Sequence, residues 1–223
     1  VTQKKITQFF ARLDTKYLNN TFHRLLHKFD DATLGKLKIH PISFFQPEED
    51  ENIHLHIWDG YFVTFLFPFM DEMPNYQHFD EALNPEHKRS IMTFYRSMIQ
   101  RHMYATGKKY YVAKNPAFSA KIETLAEFFP DARIIYLARN PLDMLPSTVS
   151  WINYARRQFT DPVDGFHYLD EIVDMTKHWY SHPLKYLDAH PSPRHLILKY
   201  DDMVQRPEHV IRGFYEQFGY PDK

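Results

Sequence analysis

The chain has 223 residues, of which 27 are basic and 28 acidic for a formal net charge of −1, and 43% of it is hydrophobic. That composition suits an ordinary globular protein with a real core, and it lacks the basic excess that would coat nucleic acid, so no nucleic-acid partner is expected. With no cysteine there is no disulfide framework, thiolate nucleophile or cysteine-ligated zinc site, and the six glycines are all isolated, so no glycine-rich phosphate loop is present.

No internal repeat or low-complexity linker divides the sequence, and residues 1–223 are read as a single domain. The chain starts at Val1 without a leader, which points to a sequence incomplete at its N-terminus; with no targeting segment visible, the cytoplasm is the default compartment. From about Ala11 to Phe29, Leu18, Phe22, Leu25, Leu26 and Phe29 recur at helical spacing before Asp30-Asp31, a turn signal. Residues 37–60 combine an apolar approach with the acidic run Gln46 to Asn52 and read as a loop meeting a helix or turn. The run Tyr61 to Met70 is about half the length a bilayer requires and contains Pro68, so it predicts buried core and no transmembrane span.

Three Asn-Pro pairs then punctuate the chain, each offering a cap and a proline for a first helical turn. Asn84-Pro85 opens a helix with Ile91, Tyr95, Met98, Ile99 and His102 on one face, stopped by Gly107. Tyr110 to Ala113 reads as a short buried strand. Asn115-Pro116 opens a helix with Phe118, Ile122, Leu125 and Phe129, ending at Pro130-Asp131. Arg133 to Ala138 reads as a second strand, and Asn140-Pro141 opens a helix with Leu142, Leu145, Val149 and Ile152 facing inward. A long helical pattern through Leu169, Ile172, Val173, Thr176 and Tyr180 follows, then a third strand, His195 to Tyr200, and a last helix from Pro207 to Gly219. Apolar strands alternating with amphipathic helices predict an α/β fold with a parallel sheet covered on both faces.

Ligands of such sheets bind beyond the carboxyl ends of the strands. That rule selects Lys114-Asn115, Arg139-Asn140 and Tyr200-Asp201-Asp202. Lys114 and Arg139 each precede an Asn-Pro helix start, whose free N–H groups favour an anion, and Ser147 lies about two turns into the helix that follows Arg139. The alternative is that the two cations are solvated, or pair with Asp143 and Asp131.

The run Tyr111 to Trp151 resembles the core of the sulfotransferases that use 3′-phosphoadenosine-5′-phosphosulfate (PAPS), in their bacterial and tyrosylprotein-type branch. The matching features are Lys114-Asn115-Pro116, the segment from Phe129-Pro130-Asp131-Ala132 through the strand to Arg139-Asn140-Pro141, and the downstream Ser147. Leu198 to Pro221 resembles a second block of the family, with Asp201-Asp202 replacing Glu-Asp, and His40 to Glu51 resembles this branch too; together they cover most of residues 37–221. The resemblance implies a P-loop-kinase-like sheet surrounded by helices, PAPS as co-substrate and an acceptor hydroxyl or amine as partner. It assigns Arg139 and Ser147 to the 3′-phosphate, Tyr200 to the adenosine end and Lys114 to the transferred sulfuryl group. For the base, the candidates lie in Glu48-Glu49-Asp50, neighbouring carboxylates that raise one another's pKa, with Glu49 the first choice and Glu48 the second, although a charge run is otherwise a solvated face. The family's N-terminal strand and R-x-G-T-T or K-x-G-T-T loop have no counterpart in this sequence, and the chain stops soon after Pro221, so a truncated domain is expected. The alternative is a non-catalytic nucleotide-binding or interaction module retaining only the 3′-phosphate half-site.

The 14 histidines raise the question of a metal. His23 and His27, or His54 and His56, have suggestive spacing but no HExxH helper, so scattered histidines and no metal are expected. Neither oligomeric state nor acceptor identity can be read from these residues.

Overall fold

A computed structural model describes residues 13–32, 49–66, 73–157 and 168–220. Its longer elements are α1 (Thr21–Ala32), α2 (Pro85–Thr106), α3 (Ile122–Phe128), β1 (Ile134–Ala138), α4 (Pro141–Arg156), α5 (Leu169–Ala189), β2 (His195–Lys199), α6 (Tyr200–Gln205) and α7 (Pro207–Phe218). The fold is α/β but mostly helical, and the residues fall into two compact units. Val1–Trp58 and Thr93–Asn115 form the first; Asp59–Met92 and Pro116–Lys223 form the second.

Helix α2 starts and stops as its caps predict. The Asn84 side chain accepts from the His87 N–H (2.9 Å), Ile91, Met92 and Tyr95 are buried, and Gly107 ends the helix at φ +66°.

In the first unit the helix expected over 11–29 is broken. Asn19 and Asn20 take left-handed backbone conformations (φ 51° and 58°), which asparagine tolerates better than most residues. Buried Asp14 then caps the restarted helix by accepting from the N–H groups of Phe22 and His23 (2.9 Å each). Helix α1 continues through Asp30-Asp31 rather than turning there, and Leu18, Phe22, Leu25 and Phe29 are exposed. Residues 33–48 lie outside the described residues, Glu48 and most of the acidic run with them. The run's remainder is not a solvated face: Asp50 and Glu51 are buried, and Glu51–His54 forms a helical turn.

Tyr110 to Ala113 is not a strand. Among the described residues no strand lies beside it, Tyr110 and Val112 are exposed, and the segment is held instead through Lys114, whose carbonyl accepts from the Asp50 N–H (3.4 Å).

The second unit is built on two parallel strands, β1 and β2, in register from Ile134↔His195 to Ala138↔Lys199. Helix α5 packs on one face, where the Tyr136 hydroxyl donates to the Trp179 carbonyl (3.1 Å). On the other face Ile135 and Leu137 are exposed, so the described residues do not show the expected cover on both faces. The expected core at Tyr61 holds for the described part of its segment: Tyr61, Val63 and Phe65 are buried, with Phe65 edge-on to Trp151 (4.9 Å). Helix α4 buries Val149 and Ile152, as predicted, and accommodates Pro146, while Leu142 is 82% exposed rather than part of that face.

Asp80 ties three segments of this unit together. Its buried carboxylate accepts from the N–H groups of Glu123 (2.9 Å) and Thr124 (3.2 Å), from the Thr124 hydroxyl (2.5 Å), and from Nε2 of His182 (2.9 Å). It thereby supplies a cap for α3, whose own cap residue, Lys121, makes no side-chain capping bond.

Candidate functional site

The parallel register ends β1 and β2 at the same edge, so Arg139 and Tyr200, each the first residue past its strand, become neighbours. The Arg139 guanidinium lies over the Tyr200 ring, 5.2 Å from its centroid. From α5 the Tyr180 hydroxyl donates to the Arg139 carbonyl (2.6 Å), which fixes the chain where it leaves the strand. Burial pushes the Tyr180 phenol above its ordinary pKa, and the nearby Arg139 charge opposes that shift. Arg139 is half-buried, and no carboxylate pairs with it among the described residues. Neither Asp131 nor Asp143, its conceivable partners, forms an ion pair there. One residue on, the Asn140 side chain caps α4 by accepting from the Leu142 N–H (3.1 Å). A partly desolvated guanidinium beside a helix N-terminus is chemically suited to an oxyanion. Ser147 is exposed on α4 and forms no hydrogen bond with Arg139.

In the first unit, three consecutive carboxylates grip the segment around Lys114. Glu49 pairs with the Lys114 ammonium, Asp50 accepts from the Tyr111 hydroxyl (2.8 Å), and Glu51 accepts from the Asn115 side-chain amide (2.8 Å). Asp50 also accepts from the buried Tyr95 hydroxyl (2.5 Å). Burial raises the Asp50 carboxyl above its ordinary value, opposed by the hydrogen bonds from Tyr95 and Tyr111. Burial, followed by the Asp50 charge, raises both phenols as well, so they remain protonated donors. Lys114 itself is 72% exposed and Glu49 14%, which leaves the ammonium open to solvent while its partner sits against the protein.

The structure therefore brings together Lys114 with Glu49, and Arg139 with Tyr200. Sequence reasoning missed Tyr180, absorbed into a helical stripe, and Glu51, visible only as a member of a charge run; Asp50 was among the candidate bases, and the structure makes it the acceptor for two phenols. Tyr111 was visible as part of an apparent strand.

The chain matches the family model described as "Sulfotransferase family" over residues 20–223. It is similar to the omega-hydroxy-beta-dihydromenaquinone-9 sulfotransferase Stf3 of Mycobacterium bovis (strain ATCC BAA-935 / AF2122/97), at 27% identity over 193 residues, covering 81% of this chain and 47% of that protein. The protein of the same name from Mycobacterium tuberculosis (strain CDC 1551 / Oshkosh) matches with the same identity and coverage. The chain thus spans about half the length of these curated relatives. No solved structure matches it significantly. No helix among the described residues is long and apolar enough to cross a membrane. With the family model spanning nearly the whole chain, this chain belongs to the sulfotransferase family.

Proposed function

We propose that the chain is the larger part of a single P-loop-kinase-like domain that transfers a sulfuryl group from PAPS to an acceptor hydroxyl. The observation that carries this function is Arg139, whose backbone Tyr180 fixes at the strand edge and whose guanidinium lies over Tyr200 with no carboxylate partner among the described residues. In this reading Arg139 binds the 3′-phosphate through charge-assisted hydrogen bonds, Ser147 adds a neutral one, and Tyr200 packs toward the adenosine.

The donor supplies a sulfur already bonded to a good leaving oxygen, so the S–O bond to the 5′-phosphate breaks as the acceptor oxygen bonds to sulfur. Little covalent work is left to the protein, and its contribution is alignment and charge stabilisation. Lys114 stabilises charge near the transferring group, and Glu49 receives the acceptor proton, with Glu48 the second choice. The Lys114–Glu49 pair supports this division, because an arriving anion competes for the ammonium and releases the carboxylate to act as a base. A hydroxyl acceptor agrees with the hydroxylated menaquinone in the relatives' name.

The test is calorimetric binding of 3′,5′-bisphosphoadenosine. Arg139→Ala should bind about 10-fold or more weaker than wild type, as loss of a hydrogen bond to a charged group implies. Equal binding overturns the phosphate assignment. In the protein encoded by the full gene, Lys114→Ala should depress turnover with PAPS; unchanged turnover sinks the lysine's role, and binding without any turnover identifies the non-catalytic module instead.

A further inference from the structure

We propose that His78, Glu81 and His178 form a binding site for a divalent transition-metal ion, best matched by zinc, in the second unit. His78 ends the 3-10 turn Tyr76–His78, Glu81 lies in the helical turn Phe79–Ala82, and His178 projects from α5. One ligand-type atom from each residue lies within 4.8 Å of the other two. Nδ1 of His78 is 3.7 Å and Nδ1 of His178 4.0 Å from Oε2 of Glu81. These separations are too long for hydrogen bonds, so the three groups face one another without bonding. A tetrahedral ion with ligand bonds of about 2.0–2.1 Å separates its ligand atoms by about 3.3 Å, so the side chains need to close by only a fraction of an ångström to about 1.5 Å.

Two independent observations mark the space as a ligand site rather than a chance cluster. Nε2 of His78 donates to Asp174 (2.7 Å), which fixes the tautomer and leaves the Nδ1 lone pair facing Glu81. That is the carboxylate–histidine arrangement that orients metal-ligating imidazoles. His178 is 7% exposed, its Nε2 is buried, and its ring forms no hydrogen bond among the described residues. The ring is held by stacking on His78 (4.0 Å between centroids) and His182, and its Nδ1, on the side of Glu81, is left open to coordination. His182 stacks on His178 (4.8 Å, 14°), is oriented by Asp80, and holds its Nδ1 4.0 Å from Oε1 of Glu81, adjoining the same carboxylate. Two imidazoles and one carboxylate suit zinc, copper, nickel or cobalt rather than calcium or magnesium. Glu81 is 63% and Asp174 67% exposed, so an ion has a route in from solvent. Bound there, it would clamp the segment 76–82 to α5.

The experiment uses the full chain stripped of metal by chelation, titrated with Zn²⁺ against a chromophoric competitor, with Co²⁺ absorption as a second readout. One equivalent should bind, and the Co²⁺ complex should show the intense visible bands of a low-coordinate site. Glu81→Gln and His78→Ala should each weaken binding by at least about 10-fold, and Asp174→Asn, which touches no metal, by about 10- to 100-fold. Because His178 is buried, its replacement would disturb folding too, and the exposed Glu81 and Asp174 carry the decision. No stoichiometric binding, affinity unchanged in both Glu81→Gln and Asp174→Asn, or binding abolished by His23→Ala/His27→Ala instead, overturns the site.

Discussion

Lys114 and Arg139 occupy the same local motif, a cation one residue before an Asn-Pro pair, yet their surroundings are opposite. Lys114 is exposed, paired with Glu49, and lies on a segment that Asp50 and Glu51 fasten from the side. Arg139 is half-buried, backed by two phenols, and has no carboxylate beside it. The difference traces to backbone context. Arg139 leaves a true strand with a parallel neighbour, which delivers Tyr200 to its side; the segment before Lys114 has no strand neighbour among the described residues and is fixed by side-chain carboxylates. One motif thus sits in two environments, an exposed ammonium paired with a carboxylate and a half-buried guanidinium without one among the described residues.

The contrast is most sharply tested at Glu51. Glu51→Ala leaves the buried Asn115 amide without this acceptor, and should destabilise the protein by about 2–3 kcal/mol in urea denaturation. A loss below about 1 kcal/mol would mean that the carboxylates do not fasten the Lys114 segment. Tyr95→Phe removes one donor to buried Asp50 and should lose about 1.5 kcal/mol by the same measurement.

Asp50 adds a pH dependence whose sign follows from its raised pKa. The folded state holds this proton more tightly than the unfolded chain, so the group's stabilising contribution is full below its ordinary value of 3.8 and is lost as pH rises through the folded value. Asparagine does not titrate. Measured by thermal unfolding between pH 4 and 7, Asp50→Asn should therefore gain stability relative to wild type as pH rises, and a flat or falling difference would contradict the burial effect.

On the Arg139 side, Tyr200→Leu removes the ring under the guanidinium. It should weaken 3′,5′-bisphosphoadenosine binding about 3-fold, in line with about 0.5–1 kcal/mol for an exposed cation–aromatic contact, while Tyr200→Phe keeps it. The smallest effect is expected from Lys114→Ala on stability, within about 0.5 kcal/mol, because an exposed ion pair is screened by water. A large loss there would make Lys114 a structural residue and erase the contrast.

Local signals in the sequence foretold much of this arrangement. Asn84, Asn140 and Gly219 mark helix ends where the caps demand them, and the apolar runs Arg133 to Ala138 and His195 to Tyr200 hold the strands, the second ending at Lys199 because Tyr200 opens a helix. Tyr110 to Ala113 has a similar apolar character but no partner strand among the described residues, and periodicity carries no information about a partner. The exposed face of α1 fails for the same reason: spacing makes a helix amphipathic without specifying what it packs against. Of the candidate site, Arg139 and Tyr200 were legible because they follow strand ends, whereas the same rule selected Lys114 from a segment that is not a strand. The clamping roles of Asp50 and Glu51 were not legible, since burial distinguishes a clamping carboxylate from a solvated one. The His78–Glu81–His178 cluster was equally hidden, because its histidines are a hundred positions apart in sequence.

Asp80 has a consequence for the order in which the chain can fold. Helix α1 takes its cap from Asp14, a few residues upstream, whereas α3 takes one from a side chain more than forty positions away. A short helix capped from such a distance gains that support only after a long loop has closed. An isolated peptide spanning residues 116–130 should accordingly show little helical circular dichroism, and α3 should form late, together with the docking of α5 through His182 rather than before it.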